Sequence, residues 1–347
     1  MTIWQECLDT LTLDATRPAL DWITHCSLEL LQEQRWLREF AARPGSPVPP
    51  ASEDELQRLY ALSRVNQTLL LRFQPGNVEG VDYRGPDLTT EEYVTLMTAL
   101  GFDVVYEAVF SPFFHEIVKV DQDPDDTRPI TLVDTYWPAL MLGDMLFSRA
   151  GVRVRGGGNV IRKDIAESST LYWAWRRKNR RVADQSAGWG SHSQWKTAFR
   201  RDYRKDELFL FNVDGVRSLM EPLPDDEVAL TRDARAEHLF HRCFITCDKT
   251  DDDLLSLDDT CALNAEGLRV EYDGPARMET ARRRGEEAYD AMYDASTSSG
   301  ASGCYSDAKY HFAVAIGIAE RLGDAETVAR LGARLQHIKD VFRSQFS

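Results

Sequence analysis

The side chains best suited to chemistry in this sequence are histidines close to carboxylates, hydroxyls or thiols. One histidine precedes a glutamate, one lies between two serines, and two precede a pair of cysteines. An imidazole can act as a general base when a carboxylate or hydroxyl lies within hydrogen-bond reach. If these groups converged in space, they would form the pocket of a hydrolase or a nucleic-acid-processing enzyme. The candidates for such a pocket are His115, Glu116, His192, His238 and His241.

These groups do not complete a known catalytic or metal-binding motif. After His115, the zincin pattern requires a second histidine at the position where the sequence has Lys119. His241, Cys243 and Cys247 would share one face of an extended strand. Strand positions two apart lie about 6.5–7 Å from each other, so these side chains cannot close a tetrahedral zinc site alone. We therefore expect neither a metal nor another cofactor.

Two stretches carry residues suited to contacts with another protein. Two tryptophans lie in a segment rich in Gly, Ser and His, and five aspartates lie between positions 251 and 259. Tryptophans are frequent anchors of protein interfaces, and acidic clusters attract basic partners. The aspartates lack the glycine and glutamate that a calcium-binding loop requires. The sequence predicts a partner-binding surface formed by Asp251, Asp252, Asp253, Asp258, Asp259, Trp189 and Trp195.

Charge is distributed unevenly along the chain. The sequence has 41 Lys and Arg against 56 Asp and Glu, a net charge of −15, yet residues 151–205 hold 14 bases and four acids. Aromatic residues are interspersed among these bases, as in nucleic-acid-binding surfaces. The acidic remainder would repel a polyanion and attract a basic protein, or the opposite charges could pair across the fold. A nucleic-acid binder would require one open basic face formed by Arg176, Arg177, Arg180, Arg200 and Arg204.

Hydrophobic periodicity and capping residues predict the main elements. Capping boxes at 52–55 and 89–92 begin helices, and the Pro-rich tract 43–50 is a loop. Alternating or β-branched runs predict strands at 102–110, 115–120, 130–133, 152–154, 208–213, 241–247 and 267–272. Further helices are expected at 137–147, 165–178, 276–292, 305–322 and 325–342, with a flexible loop at 296–303.

These elements predict an α+β protein with a small mixed or antiparallel central sheet and helical flanks at both termini. We expect an N-terminal helical region at 1–75 that includes the loop 43–50, an α+β central region at 76–275 and a C-terminal helical region at 276–347. One compact domain is the alternative. The chain has no apolar run of about 18 residues, no signal-peptide pattern and only scattered cysteines. We therefore expect a cytoplasmic protein that does not span a membrane.

The lack of a catalytic signature and the acidic charge favour a binding protein over an enzyme. We expect an acidic immunity or antitoxin-type inhibitor, as used in bacterial defence, which neutralises a basic toxin such as a nuclease effector by covering its active cleft. The alternative is the hydrolase or nucleic-acid-processing enzyme with the His-centred pocket. Nucleic acid is a less favoured partner than a basic protein.

Overall fold

The chain divides into two compact units. The computed structural model describes residues 4, 27–76, 87–183, 198–220, 230–247, 258–270, 274–295 and 297–346. The larger unit comprises Met1–Gln122, Ile130–Gly156 and Ile161–Ala265. The smaller unit comprises Asp123–Pro129, Gly157–Val160 and Glu266–Ser347.

Helices flank the strands on both sides in the sequence. The described helices are α1 (Ser27–Ala41), α2 (Glu53–Leu70), α3 (Thr90–Leu100), α4 (Lys163–Ala166), α5 (Arg232–His241), α6 (Ala265–Val270), α7 (Gly274–Asp294), α8 (Ser298–Arg321) and α9 (Ala325–Gln345). The described strands are β1 (Asp103–Val105), β2 (His115–Gln122), β3 (Thr131–Trp137), β4 (Ala139–Leu142), β5 (Met145–Ser148), β6 (Ala150–Gly156), β7 (Leu171–Tyr172), β8 (Val182–Ala183), β9 (Asp202–Lys205), β10 (Leu208–Phe211), β11 (Arg217–Ser218) and β12 (Asp259–Asn264). The predicted α+β class is confirmed.

The described strands form three sheets. The largest has the order β1-β4-β5-β9-β10-β12-β11 and is antiparallel except for the parallel β11–β12 pair. The second has the order β2-β6-β3, in which β2 runs parallel and β3 antiparallel to β6. Strands β7 and β8 form a short parallel pair. Mixed pairing is what the sequence predicts for this protein.

Helices α2 and α3 begin where the sequence predicts because both capping boxes form. The Ser52 hydroxyl accepts from the Glu55 N–H, and the Glu55 carboxylate accepts from the Ser52 N–H. Thr89 and Glu92 repeat this exchange at the start of α3. Helix α3 ends at Gly101, whose φ of +99° lies in the left-handed region that glycine adopts without steric cost.

One hydrophobic core joins the N-terminal helices to the largest sheet. Leu37 of α1, Leu59 of α2 and Tyr93 of α3 belong to the same buried cluster as Leu140 of β4 and Phe147 of β5. Burying such side chains contributes about 1.5–3 kcal/mol each. Helices α1 to α3 are therefore part of the larger folded unit and do not form a body of their own.

Trp137, the last residue of β3, fixes the backbone between β5 and β6. Its indole N–H donates to the Arg149 carbonyl oxygen at 2.9 Å. Its ring lies where a side chain of Gly151 would be, since a Cβ built on that glycine would come within 2.3 Å of the ring. The absence of a side chain at Gly151 therefore allows Trp137 to hold the backbone of Arg149.

The prediction of a helix at 137–147 is wrong, because the segment forms the β4–β5 hairpin. Every residue of β4 is buried, and so are the first three of β5. Burial on both faces removes the alternation that identifies a strand, so a short apolar run resembles a buried helix. The chain reverses at Gly143, which has a φ of +58°.

The predicted helix at 165–178 is also largely wrong, since only Lys163–Ala166 is helical. The chain then forms β7, and two glutamine side chains, Gln67 of α2 and Gln74 shortly after it, accept hydrogen bonds from the backbone that follows. The Gln67 side-chain oxygen accepts from the backbone N–H groups of Trp175 and Arg176. The Gln74 side-chain oxygen accepts from the Lys178 N–H at 2.7 Å. Long-range side-chain acceptors of this kind cannot be seen in local periodicity.

Two of the predicted strands, at 241–247 and 267–272, and the predicted loop at 296–303 have a different structure. Residues up to His241 belong to α5, and the following loop folds against Glu237, whose carboxylate accepts the N–H groups of residues 245–247. Residues Ala265–Val270 form α6, which replaces the strand predicted at 267–272. Helix α8 begins at Ser298, inside the predicted loop 296–303, because the Thr297 hydroxyl accepts from the Gly300 N–H.

The smaller unit is built on helices α7, α8 and α9. Connections of a few residues join them, so consecutive helices run antiparallel. Their shared core contains Met292 of α7, Phe312 of α8 and Ile338 of α9, all fully buried. Arg334 and Glu286 form an ion pair at 2.6 Å between α9 and α7. The helices predicted at 276–292, 305–322 and 325–342 are confirmed.

Two glycines of the smaller unit offer a matched test of this packing. A Cβ on Gly285 would lie 2.7 Å from the Phe312 ring, whereas a Cβ on Gly317 would have no other atom within 4 Å. We expect Gly285→Ala to lower the free energy of unfolding of this unit by about 1–3 kcal/mol through overpacking. Gly317→Ala should raise it by up to about 1 kcal/mol, because alanine favours helix. Urea unfolding followed by circular dichroism measures both, and equal effects would contradict the packing.

Candidate functional site

A cleft in the larger unit has a wall of arginines. Its lining combines residues of α2, the ends of β2 and β5, the segment that follows β7, the residues before β9 and the residue that ends α5. The charged residues of the lining are Glu116, Arg149, Arg177, Arg200 and Arg242. The polar and aromatic ones include Ser63, Asn66, Gln67, Phe147, Tyr172, Trp173 and Phe199.

One buried carboxylate, that of Asp202, holds three of these guanidinium groups. Its Oδ1 accepts from Arg200 Nε at 3.1 Å, and its Oδ2 accepts from Arg242 Nη2 at 3.0 Å and from Arg149 Nη2 at 3.5 Å. Asp202 is fully buried at the start of β9. Burial raises the pKa of Asp202, but the three arginines more than offset this and hold it well below its usual range. The carboxylate is therefore ionised at neutral pH.

The backbone around Asp202 adopts a conformation that most residues avoid. Asn212 has a φ of +48° and donates its backbone N–H to Asp202 Oδ1 at 2.7 Å. Arg242 ends α5 with a φ of +60°, and Trp173 has a φ of +55°. Each such residue costs about 1–3 kcal/mol, and strain of this kind is concentrated at functional sites. Of the four non-glycine residues with positive φ in the described ranges, three surround this cluster.

Arg177 is held in the same wall by a second carboxylate. Its Nε and Nη2 donate to the two oxygens of Glu116, both at 2.6 Å, and its Nη1 donates to the Arg176 carbonyl at 2.6 Å. Burial raises the pKa of Glu116, while Arg177, Arg180 and Arg149 lower it further than burial raises it. This bidentate ion pair occupies the edge of the Arg177 guanidinium formed by Nε and Nη2.

Arg200 is a deeply buried arginine of the wall that has an unused donor. Its Nη2 donates to the Leu239 carbonyl at 2.6 Å, its guanidinium lies 4.3 Å from the Trp173 ring centre, and its side chain is 1% exposed. Burial lowers the pKa of Arg200 to about 10, so the group stays charged at neutral pH. Among the described residues, its Nη1 is buried without a hydrogen-bond partner, and so is Arg242 Nε. The wall therefore presents buried, unsatisfied donors.

Two amide side chains of α2, Asn66 and Gln67, also line the cleft. The Asn66 side-chain oxygen accepts from the Tyr93 hydroxyl at 2.7 Å, and the Gln67 side-chain oxygen accepts from two backbone N–H groups. Both acceptor atoms are thus engaged, and the NH₂ groups of these amides remain to donate. A cleft with this lining suits a ligand rich in acceptor oxygens.

The predicted catalytic histidines do not line this cleft. His115 and His241 both stack on Phe110, with ring centres 5.7 and 6.1 Å from it. His238 lies against Tyr172 and Trp173 instead. Glu116 of the predicted set does reach the cleft, and His192 lies outside the described residues. The structure thus brings together two of the imidazoles, but away from the arginine wall.

The predicted partner-binding residues are only partly covered by the described ranges. Asp251, Asp252, Asp253, Trp189 and Trp195 all lie outside them. Asp258 is exposed. Asp259 is 1% exposed and forms an ion pair with the equally buried Arg235, so its carboxylate does not contribute to a surface.

The open basic face that a nucleic-acid binder requires is not formed. Arg177, Arg180 and Arg200 are directed inward, where Glu116, backbone carbonyls and Asp202 accept from them. Arg204 is exposed on β9 and Arg176 is partly exposed beside Trp175. Part of the positive charge of 151–205 thus serves buried ion pairs, as in the alternative in which opposite charges pair within the fold.

Comparison with protein-family models, with curated proteins and with solved structures gave no match to this chain. Among the described residues, no three His, Cys, Asp or Glu side chains are grouped so that they could hold a metal ion. The helices within those ranges are too short or too polar to cross a bilayer. Function is therefore inferred from the geometry of the cleft.

The arginine wall was missed by sequence reasoning, although one signal pointed to it. Arg149, Arg200 and Arg242 lie about 40 to 50 residues apart, and no local pattern links them. Asp202, however, is one of four acids among the 14 bases of residues 151–205 and follows two arginines directly. A lone acid in a basic stretch is a natural centre for ion pairs, and that signal was available.

The buried histidines give the larger unit a stability that depends on pH. Burial lowers the pKa of His115 to about 4, and its Nδ1 accepts from the Ser111 N–H at 2.9 Å. Because the unfolded chain binds a proton near pH 6.5 and the folded chain only near pH 4, stability is complete above pH 6.5 and declines below it. We expect the free energy of unfolding to fall by about 2 kcal/mol between pH 6.5 and 5 through His115.

Urea unfolding of the wild type and of His115→Asn at both pH values measures this contribution. Asparagine retains an acceptor for Ser111 but does not titrate in this range. The variant should therefore lose about 2 kcal/mol of the pH dependence. His337→Asn, at an exposed position of α9, is the control and should keep it. An unchanged slope in His115→Asn would show that His115 is not held neutral by burial.

Proposed function

We propose that the protein binds a small oxyanion-bearing ligand in the arginine-lined cleft. The observation that carries this proposal is the buried Nη1 of Arg200, which has no hydrogen-bond partner although it belongs to a charged group. Leaving a buried donor unsatisfied costs about 1–3 kcal/mol, and more for a charged group. An oxygen atom of an anionic ligand would satisfy it at the wall of an accessible cleft.

The charges of the cleft support an anionic ligand. Four arginines and one glutamate line it, and Asp202 lies behind three of the arginines. Burying more positive than negative charge costs free energy, because the guanidinium groups lose their hydration. Only opposite charges or dipoles within the protein can compensate for this loss. A bound oxyanion would supply them.

The site is also held in place before a ligand arrives. Asp202 fixes the guanidinium groups, Trp173 lies against the Arg200 plane, and the left-handed backbone of Arg242 is set by the end of α5. A ligand would therefore not have to order long, mobile side chains, which otherwise weakens binding by about 0.5–1.5 kcal/mol for each one. Such preorganised donors are typical of selective anion sites.

A second function is proposed for the acidic exterior: inhibition of a basic toxin, such as a nuclease effector, in the manner of an immunity protein. The observation that favours it is the inward orientation of Arg180 and Arg200, which donate to backbone carbonyls and to the buried Asp202. Because these bases are used inside the fold, they do not neutralise the acids that give the chain its net charge of −15. An acidic exterior accelerates association with a basic partner and suppresses binding of nucleic acid.

Anion binding can be tested with Arg200→Lys. The variant keeps the charge but replaces the planar donor group, so the Nη1 donor is lost. Titration calorimetry should show one site with a dissociation constant below about 1 mM for at least one of phosphate, sulfate, succinate and acetate. Arg200→Lys should weaken it at least about tenfold. Arg204→Lys, at an exposed position of β9, is the matched control and should bind like the wild type. If none of the four anions bound, the proposal would be refuted.

Inhibition of a basic partner can be tested with neutralised aspartates. The triple variant Asp251→Asn, Asp252→Asn, Asp253→Asn should release a basic partner, with pI above about 8, at lower salt than the wild type does, since screening weakens surface attraction. A control variant removes three exposed charges of the smaller unit, at Asp307, Glu320 and Glu326. Affinity capture from the source cells at increasing salt measures the difference. Equal release from both variants would argue against an aspartate-centred docking surface.

A further inference from the structure

We infer that the group bound in the cleft is tetrahedral, a phosphoryl or sulfuryl group, and not a planar carboxylate. This inference rests on the proposed anion-binding function and narrows it to one ligand class. It follows from which edge of each guanidinium is already occupied and from where the remaining donors originate.

Carboxylates and phosphates can both accept two parallel hydrogen bonds from one edge of a guanidinium, but only a phosphoryl or sulfuryl group has further oxygens outside that plane. In Arg177, Nε and Nη2 form such an edge, and Glu116 occupies both. In Arg200, Nε donates to Asp202 and Nη2 donates to the Leu239 carbonyl. In both Arg177 and Arg200, the edge formed by Nε and Nη2 therefore already donates to groups of the protein.

Arg242 is limited in the same way. Its Nη2 donates to Asp202 Oδ2, while its Nε is buried without a partner. Within the described residues, the donors that Arg200 and Arg242 leave without a partner are therefore single atoms on separate groups, Nη1 of Arg200 and Nε of Arg242. These groups approach from different elements, Arg200 from before β9 and Arg242 from the end of α5.

Single donors on separate groups match a ligand whose oxygens diverge. A phosphoryl or sulfuryl group presents three or four oxygens towards the corners of a tetrahedron, whereas a carboxylate presents two in one plane. Asn66 and Gln67 of α2 also line the cleft, and because their side-chain oxygens are engaged, each amide can offer a ligand only its NH₂ donors. The donor set therefore favours tetrahedral geometry.

The aromatic part of the lining is consistent with an organic substituent on the bound group. Phe147 and Phe199 stack with ring centres 5.5 Å apart, and both line the cleft. Inorganic phosphate, sulfate and phosphate monoesters all share the tetrahedral group, so the ligand class includes all three. A monoester would add apolar contacts to the same anionic anchor.

The test compares anions of different shape on the full-length protein. Titration calorimetry at constant ionic strength uses inorganic phosphate, sulfate and phenyl phosphate against acetate and succinate. We expect phosphate and sulfate to bind at least about tenfold more tightly than both carboxylates, and phenyl phosphate to show whether an organic substituent increases affinity. Tighter binding of acetate or succinate would overturn the tetrahedral inference and leave the proposed function intact. If none of these anions bound, both the tetrahedral inference and the proposed function would be refuted.

The Asp202→Asn variant tests whether Asp202 positions the guanidinium groups or affects anion binding only through its charge. Removing a negative charge beside the arginines should strengthen anion binding if charge alone determined affinity. If Asp202 acts as a positioning residue, phosphate should instead bind at least about tenfold more weakly, because the guanidinium groups lose their shared acceptor. Tighter phosphate binding by a folded Asp202→Asn protein would overturn this part of the inference.

A second variant covers the case in which Asp202→Asn does not fold. Arg242→Lys keeps the positive charge at the end of α5 but removes the Nε donor. We expect phosphate affinity to fall at least about tenfold while the circular dichroism spectrum remains that of the folded wild type. Unchanged phosphate affinity in Arg242→Lys would contradict the assigned donor set.

Discussion

The buried carboxylate of Asp202 is the interaction on which the site depends. An isolated charge in this position would cost several kcal/mol of desolvation, and it is stable there because Arg149, Arg200 and Arg242 donate to it. The dependence is mutual, since three guanidinium groups could not lie so close without a negative charge between them. One residue at the start of β9 thereby connects the β5–β6 link, the residues before β9 and the end of α5.

The strained backbone positions have a physical role in this network. Trp173, Asn212 and Arg242 each occupy the left-handed region, and each contributes a ring, an N–H or a guanidinium to the cluster. Such conformations persist only where the surrounding structure determines them. A further member of the network, Arg149, is held through its backbone, because the indole N–H of the buried Trp137 donates to its carbonyl oxygen. The packing of Trp137 thus fixes the backbone from which the Arg149 side chain extends to the cleft.

Local features of the sequence predicted the elements that depend on local interactions. The capping boxes at Ser52 and Thr89 and the C-terminal helices follow from neighbours three or four residues apart, and they are present in the structure. The β4–β5 hairpin was taken for a helix, because burial on both faces removes the period-two pattern. The segment after β7 was also mispredicted, because Gln67 satisfies its backbone from about a hundred residues away. The cleft itself requires contacts at long sequence separation, which no local pattern contains.

The carboxylate of Glu237 has a consequence for the energetics of the cleft. It accepts the N–H groups of Ile245, Thr246 and Cys247, and so closes the chain into a ring of about ten residues with Arg242 inside it. The conformational entropy of this ring is lost when the protein folds, before any ligand is present. A substitution at Glu237 would therefore affect the arginine wall without contacting it, because the loop that positions Arg242 would become less ordered. Residues outside the cleft thus share control of its affinity.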